Sequence, residues 1–80
     1  MRRMDEFDAI SARLAGRVKT RRKAIGLSQE ALAFEADIDR TYVSQIERSV
    51  GNPSLMVLCR LAKVLQISVA ELLVDESATR

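Results

Sequence analysis

Arg40, Thr41, Ser44, Gln45 and Arg48 put two guanidinium groups, two hydroxyls and a carboxamide into one short stretch of the chain. At 100° per residue they fall on one side of a helix, and Val43 and Ile46 fall roughly opposite. The chemistry such a face offers is hydrogen bonding. A guanidinium can pair in a fork with the two acceptors of guanine, a carboxamide can pair with adenine, and a threonine methyl can meet a thymine methyl. Covalent and metal chemistry have little to work with, because the 80 residues hold no His and a single Cys. A nucleophile would lack its usual base and a zinc site its ligands.

Those side chains need an element that buries their underside and holds them outward. Gln29 to Glu47 divides into two short helical patterns joined at Ala36-Asp37-Ile38-Asp39. Leu32, Ala36, Ile38, Val43 and Ile46 are spaced as two short helices require when they cross steeply, and Ala33 is small where they press closest. Asp37 falls where the turn needs a left-handed backbone, which Asp tolerates better than most residues. The spacing predicts a helix-turn-helix, whose second helix enters the major groove of DNA.

Around this unit the chain reads as an all-α, five-helix domain spanning 1–80, with an ordered core at about 6–75. Phe7, Ile10, Leu14, Val18 and Ile25 recur at helical spacing and predict a first helix from about Glu6 to Ala24, closed by Gly26. Ser28 caps the second helix, Gln29 to about Glu35, and Asp39 caps the third, Arg40 to about Arg48. The first-turn N–H groups after Ser28, with the Gln29 side chain, form an expected phosphate contact. Ser49 to Pro53 reads as a loop. Ser54 caps a fourth helix, Leu55 to Leu65, whose apolar face is read as Leu55, Leu58, Cys59, Leu61, Ala62 and Leu65. Cys59 is therefore expected to be a small core residue. Ser68-Val69-Ala70-Glu71 is a capping box opening a fifth helix to about Val74.

Arg13, Arg17, Lys19, Arg21, Arg22 and Lys23 stand in a stretch without an acid, just before the central unit. Such a run fits the electrostatic footprint of a nucleic-acid binder, and Arg2 and Arg3 fit a phosphate-seeking arm. The acids at Asp5, Glu6 and Asp8 interrupt any leader-like start. No apolar run approaches the ~20 residues of a membrane span. A soluble, cytoplasmic protein without cofactor or metal is expected.

Gly26-Leu27-Ser28-Gln29-Glu30, Leu32-Ala33, Tyr42-Val43-Ser44-Gln45-Ile46-Glu47-Arg48, Asn52-Pro53-Ser54-Leu55 and Leu72-Leu73 together resemble the XRE class of helix-turn-helix regulators, the lambda-repressor-like domains. Asp39 to Ser44 with Ile46-Glu47-Arg48 also looks like the controller proteins of restriction–modification systems. The resemblance implies a homodimer that binds operator DNA and regulates transcription. By position it implies base contacts at Arg40, Thr41, Ser44 and Gln45, a phosphate contact at Gln29, and an ion pair between Arg22 and Glu47. The departures are Asp37 and Ser49, where relatives usually have Gly.

Ser28, Tyr42, Arg48 and Asn52 are further candidates for contact with the DNA backbone, Tyr42 lying at the edge of the face. Two domains on one duplex would set their reading helices about 34 Å apart and select an inverted repeat. Leu65, Ile67, Val69, Leu72 and Val74 exceed what one short helix needs and are expected to form a dimer interface, helped by Leu61 or Met56. A second reading is an antitoxin or adaptor that uses the fold to bind another protein.

Overall fold

Each helix begins on the capping side chain that its sequence supplies. In the computed structural model, which describes residues 5–74, the elements are α1 (Glu6–Ala24), α2 (Gln29–Ala36), α3 (Arg40–Glu47), α4 (Leu55–Leu65) and α5 (Val69–Leu73). Asp5, Ser28, Asp39, Ser54 and Ser68 each accept a hydrogen bond from a first-turn N–H, which satisfies a donor the helix leaves free. Ser68 and Glu71 complete the capping box reciprocally: the Glu71 N–H donates to Ser68 Oγ at 3.0 Å and the Ser68 N–H to Glu71 Oε1 at 2.8 Å. The expected arm at Arg2 and Arg3 and the stretch from Glu76 to Arg80, expected from its sequence to be a loose tail, lie outside the described residues.

The first four helices end in one way. A residue with positive φ (Gly26, Asp37, Ser49 or Gln66) is followed by an apolar one, Leu27, Ile38, Val50 or Ile67. The N–H of that apolar residue reaches back across the last turn, to Arg22, Ala33, Gln45 and Ala62 carbonyls respectively. This wrap closes the open carbonyls and turns the chain towards the next helix. Only the first instance uses Gly, so the other three carry left-handed strain that a Cβ makes unfavourable. Gln66→Gly, at an exposed position, is therefore expected to stabilise the fold by about 1 kcal/mol. A rise of roughly 4–8 °C in melting temperature is the corresponding readout, and an unchanged or lowered value would count against the strain.

The core joins all five elements: Leu14 and Val18 from α1, Leu32, Ala33 and Ala36 from α2, Val43 and Ile46 from α3, Val57, Leu61, Ala62 and Leu65 from α4, and Leu72 from α5. α1 lies against α3 and α5, and α2 lies against α3 and α4, so the helix-turn-helix is braced on both sides.

Three expectations are corrected here. Leu65, Leu72 and Leu61 are fully buried within the chain itself, so they complete this core and are not free for a dimer interface. A small domain has few large apolar side chains to fill its centre, and these three are taken by it. Ile67, Val69 and Val74 stay half-buried at its margin. Cys59 is exposed, as are Leu55 at 70 % and Met56 at 62 %, because α4 turns the side holding Val57, Leu61 and Leu65 inward and leaves the side holding Leu55 and Cys59 in solvent. Third, the basic stretch of α1 is not all available to phosphate. Arg17 Nε donates to the Glu71 carbonyl at 2.9 Å and Arg21 Nε to the Leu65 carbonyl at 2.8 Å, while Arg22 is buried. Lys19 and Lys23 remain exposed and Arg13 half-buried.

Candidate nucleic-acid interface

The site is α3 together with the beginning of α2. Val43 is wholly buried and Ile46 nearly so, and these two anchor α3 by one side. Arg40, Thr41 and Arg48 are exposed on the other, with Ser44 and Gln45 half-buried between them. Asp39 sets the start of the helix: the Thr41 N–H donates to its Oδ1 at 2.8 Å. Hydrogen bonds from Thr41 hold the Asp39 carboxyl below its usual value, so it stays ionised as a cap.

One buried network ties α3 to α1 and α2. Arg22 Nε donates to Glu47 Oε2 at 2.6 Å and its Nη2 to Oε1 at 3.0 Å, the two-point geometry that makes arginine–carboxylate pairs strong. Arg22 Nη1 closes on the Leu27 carbonyl at 2.9 Å, and Gln29 Nε2 donates to Glu47 Oε1 at 3.1 Å. The Glu47 side chain is only 2 % exposed. Burial by itself pushes its carboxyl up, but hydrogen bonds from Arg22 and Gln29 and the charges of Arg22 and Lys19 outweigh that and hold it below the ordinary glutamate value. The Arg22–Glu47 pair expected from the resemblance is thus present.

For Gln29 the geometry adds a duty the sequence did not reveal. Its carboxamide nitrogen already donates to Glu47, so the expected phosphate contact rests more on the backbone N–H groups that open α2. Ser28 is exposed, and its Oγ is already occupied by the Ala31 N–H at 3.0 Å. Tyr42 is exposed at 37 %. Arg48 is exposed and leans back along its own helix, Nε to the Ser44 carbonyl at 3.4 Å, and Asn52 is exposed in the following loop. Hence the candidate base-facing residues share the outward side of α3, and of the candidate backbone contacts Ser28, Tyr42, Arg48 and Asn52 are exposed.

Two further side chains make contacts that no sequence motif marks. Glu30 lies on solvated helix surface, its side chain 78 % exposed, and places Oε2 4.0 Å from Arg40 Nε. Arg60 of α4 donates through Nη1 to the Asp37 carbonyl at 3.0 Å. Neither had a local signal: Glu30 meets Arg40 only after the turn folds α3 back across α2, and Arg60 is 23 residues from Asp37.

The helix-turn-helix family profile HTH_3 matches residues 18–72. This chain belongs to that family. Over 47 residues it is 47 % identical to the control protein C.BamHI of Bacillus amyloliquefaciens, a stretch that spans 59 % of this chain and 58 % of that protein. Among solved structures it resembles the restriction–modification controller protein C.AhdI of Aeromonas hydrophila, with 42 % identity and a TM-score of 0.74 over 78 % of this chain and 94 % of the other. It also resembles the biofilm master regulator SinR in complex with DNA, with 39 % identity and a TM-score of 0.72 over 76 % of this chain and 98 % of the other. The XRE-type, lambda-repressor-like reading and the all-α, five-helix architecture are therefore established. The first three turns of α1 precede the matched residues. No helix among the described residues is long and apolar enough to cross a membrane.

Proposed function

We propose that this protein is a sequence-specific transcriptional regulator that binds operator DNA through α3. The observation that carries this reading is the division of α3 into a wholly buried side, Val43 and Ile46, and an outward side bearing Arg40, Thr41, Ser44 and Gln45. Likeness to control proteins and to a regulator solved with DNA supports it. Arg40 would take the guanine edge, Gln45 an adenine and Thr41 a thymine methyl. The N–H groups opening α2 after Ser28, Tyr42, Arg48 and Asn52 would fix the register on the phosphates.

One such unit covers few base pairs, so the reading includes a homodimer on an inverted repeat. With Leu65 and Leu72 committed to the core, the surface proposed for self-association is Ile67, Val69 and Val74, with Met56 the exposed candidate on α4. Localisation with the DNA in the cytoplasm follows from the role.

Arg40→Ala tests the reading. Anisotropy titration against a duplex enriched from a random-sequence pool by the unaltered protein should show affinity reduced roughly 5- to 150-fold, the worth of a forked base contact. Steep weakening with salt should accompany binding by the unaltered protein. Equal affinity of the variant and the unaltered protein would remove α3 as the reader. Capture of a stoichiometric protein partner in place of any enriched duplex would favour an adaptor or antitoxin role.

A further inference from the structure

The end of α2 is electrostatically unfavourable by its own sequence. Its last turn holds no basic residue, it contains Glu35, and Asp37 follows in the left-handed conformation at φ 58. Two carboxylates thus stand where the helix already presents free carbonyls and the negative end of its dipole. Glycine at position 37 would bring neither strain nor charge. Yet this is the turn from which the recognition helix departs.

The missing positive charge comes from α4. Arg60 Nη1 donates to the Asp37 carbonyl at 3.0 Å and lies 3.8 Å from its carboxylate Oδ2. Lys63, further along the helix, lines the same shallow depression with Glu35 and Gln66. A guanidinium suits the task because its donors are fixed in one plane, so it can hold a carbonyl and face a carboxylate together. Since α2 and α4 are packed on one another, Arg60 works as a strut from that rigid pair to the turn. The fold does the same at two other helix ends: Arg21 holds the Leu65 carbonyl of α4 and Arg17 the Glu71 carbonyl of α5. Of these three arginines, Arg60 is the one that acts where the chain turns into α3.

We propose that Arg60 is a positioning residue for the recognition helix, fixing the direction in which α3 leaves α2 by holding Asp37, whose carbonyl and carboxylate it both faces, in its strained left-handed conformation. Its influence on DNA runs through Asp37 and involves no phosphate. This rests on the DNA-binding reading of α3 given above.

Arg60→Met keeps an apolar stem of similar reach and removes the donors. Two measurements on the full chain decide the matter. Without DNA, amide hydrogen exchange at Ile38, whose N–H is bonded to the Ala33 carbonyl, and at Thr41 should quicken about tenfold, with the interior of α1 unaffected. With the enriched duplex described above, affinity should fall roughly 3- to 30-fold with an unaltered salt dependence. Adding Asp37→Gly to the variant should restore both, because glycine accepts the backbone conformation and removes the carboxylate.

Exchange that does not change at Ile38 and Thr41 would overturn the proposal. So would a variant that melts earlier yet binds as tightly, since Arg60 would then be merely structural. An affinity loss that persists beside Asp37→Gly, with the salt slope reduced by about one, would make Arg60 a phosphate contact and also overturn it. If the unaltered protein enriches no duplex, the DNA-binding reading falls and takes the binding half of the proposal with it, while exchange still decides whether Arg60 holds the turn.

Discussion

Glu47→Ala is expected to cost about 3–5 kcal/mol of folding stability, because it strands the buried Arg22 guanidinium without its counter-charge. A small domain has only about 5–15 kcal/mol in total, so the variant should lose a large share of its stability, read as a lowered midpoint in urea denaturation. The cost arises from the orphaned charge more than from loss of an attraction. A double variant, Arg22→Met with Glu47→Leu, should therefore recover most of the stability, since apolar replacements of a whole buried pair are often neutral or better. The recovery will be incomplete to the extent that Arg22 also holds the Leu27 carbonyl and Glu47 also receives Gln29. A Glu47→Ala protein as stable as the original would show that the pair does not brace α3 against α1.

The same network dictates a direction with pH. Glu47 titrates lower in the folded protein than its ordinary value of 4.5. The unfolded chain therefore binds the proton more readily, and the network's stabilisation is present above about pH 4.5 and is lost as pH falls through the folded value. Glu47→Gln should flatten the stability profile on that acid side while leaving its shape above pH 5 or so unchanged. Parallel profiles for the two proteins would mean that Glu47 contributes nothing to acid unfolding.

Much of this fold was legible because local chemistry and global packing agree. Ser28, Asp39, Ser54 and the Ser68–Glu71 box each mark a helix start that the structure uses, and α1 and α4 run over the residues that periodicity indicates. Asp37 was also legible, since a turn between two short helices must bend somewhere and few residues accept that backbone. Gln66 was not, although it does the same thing: a glutamine gives no hint of a left-handed conformation, and the only signal was the Ile67 that follows it and wraps back on the helix. The outward face of α3 could be read from 3.6-residue periodicity. Arg17, Arg21 and Arg60 could not, because an arginine that caps another helix looks in sequence like one that seeks phosphate. What distinguishes them is the distance to a carbonyl brought near by tertiary packing.

Leu65 and Leu72 expose the remaining ambiguity, which apolarity alone cannot resolve: a surplus of leucine near the end of a small domain suits a core and an interface equally. Both are fully buried in the single chain, so Leu65→Ala and Leu72→Ala are each expected to cost about 2–5 kcal/mol, the transfer loss plus the cavity left behind. Protein concentration separates the two explanations. Stability drawn from association grows by about 2.7 kcal/mol per hundredfold rise in a partner well above its dissociation constant, whereas stability drawn from a chain's own core does not change. The penalty for Leu65→Ala and Leu72→Ala, measured as the gap from the unaltered protein in the dilute monomer, should therefore be present in full. Val69→Lys, at the half-buried margin proposed for self-association, should instead show its larger loss only when the protein is concentrated, together with a lower mass in sedimentation. If the leucine variants lose nothing when dilute and much when concentrated, their burial in the monomer is not what stabilises it, and the last third of the chain folds only against a second copy.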